Sequence, residues 1–236
     1  MNLFKAKFKE RIKRTDTVES LRFIPEQKPN FIPGQFLQVI FDPANPGNHL
    51  LNKYLSFSAS PEREYVEFTK RLSNSNFSKR LKALQPGDEI WLKGPLGNCV
   101  FREKEQKIGF LIGGIGITPV ISILEYITGR KLKVDVVLLY SNRVEEEIAF
   151  KPEIDHWRKE NPNLKVFYTL TDCQPKGSER LCGHIDENML AARIPDAQDR
   201  TIFIFGPPGM VKAVFEVCLK NVPKKQIELE SFLGYS

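Results

Sequence analysis

The residues best suited to chemistry are Gly113, Gly114 and Gly116, followed by Thr118 and Pro119 in the run Gly-Gly-Ile-Gly-Ile-Thr-Pro. They follow an apolar stretch, 108–112, that has no polar break and reads as a strand covered on both faces. Glycine lets the backbone turn sharply and lets a ligand approach it closely. Pro119 suits a first helical position, and 120–127 continues as a helix with several apolar positions. A strand, a glycine turn and a helix start aim N–H groups and the positive end of a helix dipole at whatever lies above the turn. The usual occupant is a phosphate. The spacing is not the GxGxxG fingerprint, because residue 119 is proline, and the same glycines also suit a plain tight turn.

The elements that must position this turn change character along the chain. From 1 to about 102, short strands with turn signals between them are expected at 3–14, 18–23, 36–41, 54–58, 65–71 and 89–93, the spacing of a closed or nearly closed antiparallel barrel. A short helix at about 78–84 stops at Gln85-Pro-Gly-Asp88. The first strand alternates cleanly: Lys5, Lys7, Lys9, Arg11 and Lys13 fall on one face, Phe4, Phe8 and Ile12 on the other. That basic face reads as solvated, with a docking surface for an acidic partner as its functional alternative. Charged residues 102–107 read as a linker. Beyond it, strands at 108–112, 133–140, 165–170, 201–205 and 227–232 alternate with helices at 119–128, about 145–160, 186–192 and 208–220, the order of a doubly wound α/β parallel sheet. The expected architecture has two domains, a β-barrel over 1–102 and an α/β nucleotide-binding domain over 103–236.

A chain of 236 residues with net charge +6 has room for two such cores and favours an acidic partner or substrate. Nucleic-acid binding lacks any supporting motif. Cys99, Cys173, Cys182 and Cys218 form no CxxC, and the three histidines do not cluster near them, which argues against a zinc or iron–sulfur site. Scattered thiols in a reducing compartment are expected. There is no run of 18 apolar residues and no secretory h-region in the first twenty, so a cytoplasmic protein without a membrane span is expected.

Several segments together resemble the ferredoxin-NADP reductase superfamily over nearly the whole chain. These are Phe-Ile-Pro-Gly-Gln-Phe at 31–36, Lys-Tyr-Leu-Ser-Phe-Ser-Ala-Ser-Pro at 53–61, the stretch 68–81 running into Gln85-Pro-Gly-Asp88 and Gly94-Pro-Leu-Gly97, the glycine turn, Leu-Leu-Tyr-Ser-Asn-Arg at 138–143, Phe-Ile-Phe-Gly-Pro-Pro-Gly-Met at 203–210, and Glu-Leu-Glu-Ser-Phe-Leu-Gly-Tyr at 228–235. The resemblance is to stand-alone flavin-binding modules without an iron–sulfur domain.

The resemblance implies FAD as cofactor and a nicotinamide nucleotide as co-substrate. Lys53, Leu55, Ser56, Phe57 and Ser58 would form the flavin strand, with Lys53 where the family carries Arg, Leu55 where it carries Tyr, and the Ser56 hydroxyl beside the flavin N5. Arg71, Leu72, Ser75, Phe77 and Ser78 would hold the flavin pyrophosphate. Gly113, Gly114, Gly116, Thr118 and Pro119, with Gly206, Pro207 and Met210, would hold the nicotinamide nucleotide, and Ser141, Asn142 and Arg143 would meet the adenosine ribose. Glu230 and Phe232 would complete the reacting site with Ser56. Phe232, with Tyr235 second, would cover the flavin face, and Phe205 stands where many members have Cys.

The implied activity is hydride transfer from NAD(P)H to FAD. Electrons then pass to a separate acceptor: a ferredoxin- or flavodoxin-like protein, a partner subunit or a small molecule. Reversed flow from such a donor to NADP keeps the same chemistry, and a non-catalytic flavin-binding subunit is the alternative. Ser141, Asn142 and Arg143 supply donors and no carboxylate, so NADPH is expected in preference to NADH.

Overall fold

A computed structural model describes residues 2–173 and 181–231. The chain divides into two compact units: residues 1–101 with 118–126, and residues 102–117 with 127–236.

The first unit is built from β1 (Asn2–Lys13), β2 (Val18–Pro25), β3 (Phe36–Ile40), β4 (Asn52–Ser56), β5 (Val66–Arg71), α1 (Asn76–Ala83) and β6 (Glu89–Leu96). The six strands pair antiparallel in the order β4-β3-β6-β1-β2-β5. The outermost strands meet through a bridge between Phe57 and Phe68, so the sheet curls into a nearly closed barrel. Side chains alternate, and one set fills the interior: Phe8, Phe23, Leu37, Leu55, Phe57 and Phe68. Phe31 stacks flat on Phe57 at 3.8 Å between ring centroids. Helix α1 packs against this core with Phe77 and Leu81. On β5 the alternate positions carry Glu67 and Thr69. Glu67 is buried but takes guanidinium bonds from Arg22 (2.8 Å) and Arg14 (3.3 Å), which offset the cost of removing its charge from water.

The basic face expected along β1 does not persist. A bulge between Phe8 and Glu10 inserts one unpaired residue, so the alternation changes phase there. Arg11 then lies opposite buried Leu21, and its guanidinium reaches the carbonyl oxygens of Leu81, Lys82 and Leu84 at 3.4, 3.1 and 3.0 Å. Arg11 therefore satisfies orphan carbonyls at the end of α1, where a cation also complements the helix dipole. The others have carboxylate neighbours: Lys5 and Lys7 share Glu89, Lys9 meets Glu10, and Lys13 meets Asp16. Lys7, Lys9 and Lys13 nonetheless remain more than half exposed.

The second unit holds β7 (Lys107–Gly113), β8 (Asp135–Asn142), α3 (Lys151–Glu160), β9 (Leu164–Leu170), β10 (Leu181–Cys182), α4 (Glu187–Arg193), β11 (Thr201–Gly206), α5 (Pro208–Leu219) and β12 (Ile227–Ser231); α2 (Ile117–Gly129) begins right after the glycine turn, and its residues 118–126 are those counted with the first unit. The strands are parallel in the order β10-β9-β8-β7-β11-β12, with β7 and β8 central. One face of the sheet packs Leu111, Leu139, Ile202 and Ile204 against Leu190 of α4 and Val211, Val214 and Cys218 of α5.

Two expectations are corrected here. Residues 145–160 are not one helix: a single 3-10 turn at Glu145–Glu147 precedes α3, and Phe150 between them is left-handed (φ 60°). The thiols are not all free: Cys173 and Cys182 form a disulfide with Cα atoms 6.0 Å apart, because Cys182 sits on β10 in register with Leu170 of β9.

Candidate functional site

In the barrel unit, the chemistry-bearing side chains gather at β4, β5 and the start of α1. Ser56 ends β4, opposite Phe36 on β3. It is 3% exposed, and its Oγ is buried with no hydrogen-bond partner. Native proteins rarely leave such a group unsatisfied, which makes it a candidate for a ligand's hydrogen bond. Lys70 on β5 is only 6% exposed. Its ammonium donates to the Arg71 carbonyl at 3.1 Å, and burial together with the charge of Lys53 pushes its pKa down to about 8. An anion beside the two lysines would relieve that repulsion. Arg71 donates to the Thr17 hydroxyl at 2.9 Å.

Three hydroxyls gather at the helix start. Ser75 caps α1 and accepts from the Ser78 N–H at 3.3 Å, the Ser75 hydroxyl donates to Ser78 Oγ at 3.1 Å, and the Ser73 hydroxyl donates to Ser75 Oγ at 3.1 Å. With no acidic residue in its first turn, this helix start suits a phosphate group.

Other residues expected at the flavin have buried or half-buried side chains. Leu55, Phe57 and Phe77 point into the barrel core and are essentially inaccessible, while half-buried Leu72 packs against that core. Ser58 is engaged in a polar chain: its Oγ lies 2.7 Å from Thr69 Oγ1, and its hydroxyl donates to Glu67 at 3.2 Å. Of these side chains all but Leu72 are buried. The aromatic residue on the outer face is Tyr54, which is 53% exposed and meets Phe36 edge-on at 5.8 Å. Lys70, Ser73 and Tyr54 were missed in the sequence. The signal for Lys70 was present, since a lysine on a strand facing the Phe68 side must be buried.

In the second unit, the glycine turn has two separate causes. A Cβ on Gly116 would lie 2.5 Å from the Phe205 carbonyl oxygen, and one on Gly113 would collide with the Met210 sulfur. These two glycines, with Gly206 against the Gly113 backbone, permit close packing of β7 on β11 and α5. Gly114 differs: its φ is +51°, and a Cβ there would meet nothing within 4 Å. The turn is thus open exactly where its backbone is left-handed, a cradle that a ligand can enter. Tyr140, wholly buried on β8, donates its hydroxyl to the Gly114 carbonyl at 3.0 Å and pins the turn. Thr118 and Pro119 are buried in the first turns of α2. Pro207 is the N-cap of α5, and Met210 is half-buried in its first turn.

The carboxyl end of β8 carries Ser141 and Asn142, both buried, and both amide atoms of Asn142 lack partners. Arg143 is 67% exposed, and its guanidinium binds the Glu147 carboxylate at 2.8 Å. Glu230, opposite Phe205 at the end of β12, is held above the usual carboxylate range by burial. Phe232 and Tyr235 lie outside the described residues.

Residues 5–101 match the oxidoreductase FAD-binding domain family, and residues 110–216 match the oxidoreductase NAD-binding domain family. NADH-cytochrome b5 reductase 2 of Meyerozyma guilliermondii is 30% identical over 217 residues, covering 89% of this chain and 72% of that protein. The chain belongs to the ferredoxin-NADP reductase superfamily. NADH-cytochrome b5 reductase 1 of Dictyostelium discoideum is 32% identical over 172 residues, 71% of this chain and 60% of that protein. A ferredoxin NADP+ reductase from Neisseria gonorrhoeae, solved with bound FAD and NADP, shares the fold with a TM-score of 0.81 at 20% identity, covering 98% of this chain and 99% of the other.

The chain spans 55–61% of the length of the first three curated relatives it matches. As a superfamily member it carries an FAD-binding and an NAD-binding domain, and the residues of each fit the expected group. The unpartnered Ser56 hydroxyl, the two lysines and the capped helix start suit a flavin dinucleotide, and the open Gly114 turn suits a nicotinamide nucleotide. Among the described residues, no cluster of His, Cys, Asp or Glu is placed to hold a metal, and no helix is long and apolar enough to cross a membrane.

Proposed function

We propose that this chain is an FAD-dependent NADH oxidoreductase that passes electrons to a separate one-electron acceptor. The observation that carries the reading is the presence in one chain of both cradles, one built from cations and hydroxyls around Ser56 and α1, the other from the glycine turn. Bound FAD supplies the redox chemistry, taking two electrons as hydride and releasing them singly. The protein's part is to hold and orient. Lys53, Lys70 and Arg71, with Ser73, Ser75 and Ser78 at the start of α1, hold the diphosphate. The Ser56 hydroxyl, having no partner in the protein, hydrogen-bonds the flavin ring. The backbone around Gly114, fixed by Tyr140, holds the coenzyme phosphates.

NADH replaces NADPH as the preferred coenzyme. Arg143, on which the NADPH expectation rested, is ion-paired with Glu147, and Glu145 and Glu146 lie in the same turn. A carboxylate held on that guanidinium opposes a 2′-phosphate. The names of the relatives, NADH-cytochrome b5 reductases, support the same coenzyme and a cytochrome of the b5 type as acceptor.

The test is anaerobic addition of NADH to purified protein. A yellow protein whose visible flavin absorbance bleaches supports the oxidoreductase. One that stays yellow identifies a flavin-binding subunit without this activity, and one that cannot be loaded with FAD overturns both.

A further inference from the structure

The disulfide lies on an element the proposed chemistry does not use, yet it is wired to the coenzyme end of the sheet. Beyond the last residues of β8 and β9 the ladder continues: the Thr171 N–H donates to the Asn142 carbonyl at 3.0 Å, and the Asp172 N–H donates to the Arg143 carbonyl at 2.9 Å. Cys173 is the next residue. Its partner Cys182 sits on edge strand β10, which among the described residues has two register pairs to β9. Gly183 adds an N–H bond to the Leu170 carbonyl (2.8 Å), and its own carbonyl accepts from the Thr169 hydroxyl (2.7 Å). The covalent bond therefore ties the sheet edge to the segment that pairs with Asn142 and Arg143. Cys182 is exposed and Cys173 half-buried, so a reductant in solution can reach the pair. Cys218 cannot take part: it is buried, and its thiol is pushed up to about 12 by desolvation.

We propose that Cys173–Cys182 is a reversible redox clamp on coenzyme binding, closed when oxidised and released by a dithiol of the thioredoxin or dithiothreitol class. A reductant thiolate attacks the exposed Cys182 sulfur, the S–S bond breaks, and Cys173 leaves as a thiolate that takes a proton from water. The second reductant thiol displaces Cys182 from the mixed disulfide. Two electrons and two protons have then moved to the cysteines, and the reductant ends as its own disulfide. Released from its tie, the 171–172 segment holds the strand end of Asn142 and Arg143 less rigidly, and the adenosine side of the coenzyme binds more weakly. Linkage makes the effect reciprocal: bound coenzyme must protect the disulfide by the same factor.

The inference rests on the coenzyme reading above, and the experiment separates the two. NAD+ binding is measured by calorimetry on the FAD-loaded protein, oxidised and dithiothreitol-reduced, alongside a Cys173→Ser/Cys182→Ser double variant and a Cys218→Ser control. The oxidised protein should bind NAD+ about fivefold or more tightly than the reduced one. The double variant should match the reduced protein and ignore dithiothreitol, Cys218→Ser should respond like the parent, and saturating NAD+ should raise the dithiothreitol needed for half-reduction by the same factor. Equal affinity in both redox states, or a double variant that still responds to dithiothreitol, overturns the clamp and leaves the coenzyme reading intact. Failure of every form to bind NAD+ overturns the coenzyme reading and the clamp with it.

Discussion

Ser56→Ala separates a ligand-facing hydroxyl from a structural one. In the protein alone, Ser56 Oγ has lost its water and gained no partner, an arrangement that costs about 1–3 kcal/mol. Replacement by alanine removes one atom and that cost, so flavin-free protein should become more stable by about 1 kcal/mol, less than the full penalty because a small void remains. With FAD bound, the hydroxyl has its partner and the penalty is absent. The variant therefore loses in binding what it gains in the free state and also leaves the flavin atom without its partner, so FAD affinity should fall by about 1–3 kcal/mol, roughly five- to 150-fold. Hydride transfer at saturating FAD should slow by about ten- to a thousandfold if the same bond strengthens in the transition state. Urea unfolding of flavin-free protein, fluorescence titration with FAD and single-turnover bleaching by NADH give the three numbers. A less stable flavin-free variant with unchanged FAD affinity would refute the reasoning, because the hydroxyl would then be serving the fold.

Lys70, lowered to about 8 in the folded protein against about 10.4 in an unfolded chain, binds fewer protons when folded between those values. Stability of the flavin-free protein should therefore rise with pH from about 8 to 10.4, while FAD affinity, which favours the charged lysine, should fall as pH passes about 8; titrations of Lys70→Met should lose both trends. Glu147→Gln releases Arg143 and removes a carboxylate, so kcat/KM for NADPH should rise by about tenfold, the scale of one charge-assisted bond, with NADH little changed; a proportional change in both coenzymes would sink the assignment. In Gly116→Ala, the new Cβ meets the Phe205 carbonyl at 2.5 Å, and the backbone must move. NAD+ affinity should drop and stability fall by about 1–3 kcal/mol with FAD content unchanged, as calorimetry and flavin absorbance would report.

Features governed by local sterics and patterning were legible in the chain alone. The glycine turn is readable because glycine takes the left-handed φ of Gly114 without the strain a side chain brings, and because Gly116 must admit the Phe205 carbonyl where a Cβ would collide. The barrel and the parallel sheet are readable because burial imposes period-two alternation on one and unbroken apolar runs on the other. Tertiary structure decided whatever depends on a partner distant in sequence. Whether Arg11 joins a basic stripe or caps α1 turns on one bulged residue, and the bulge exists only relative to β2. Whether Arg143 faces a phosphate or a carboxylate depends on the 3-10 turn that brings Glu147 to 2.8 Å. Cys173 could pair only once β10 had docked beside β9, and Ser56 became a candidate ligand contact only when its neighbours were seen to leave its hydroxyl without a partner. Chain patterning specifies which face each residue prefers, but the energies of ion pairs, disulfides and buried hydroxyls depend on distances of a few ångströms, and packing alone sets those.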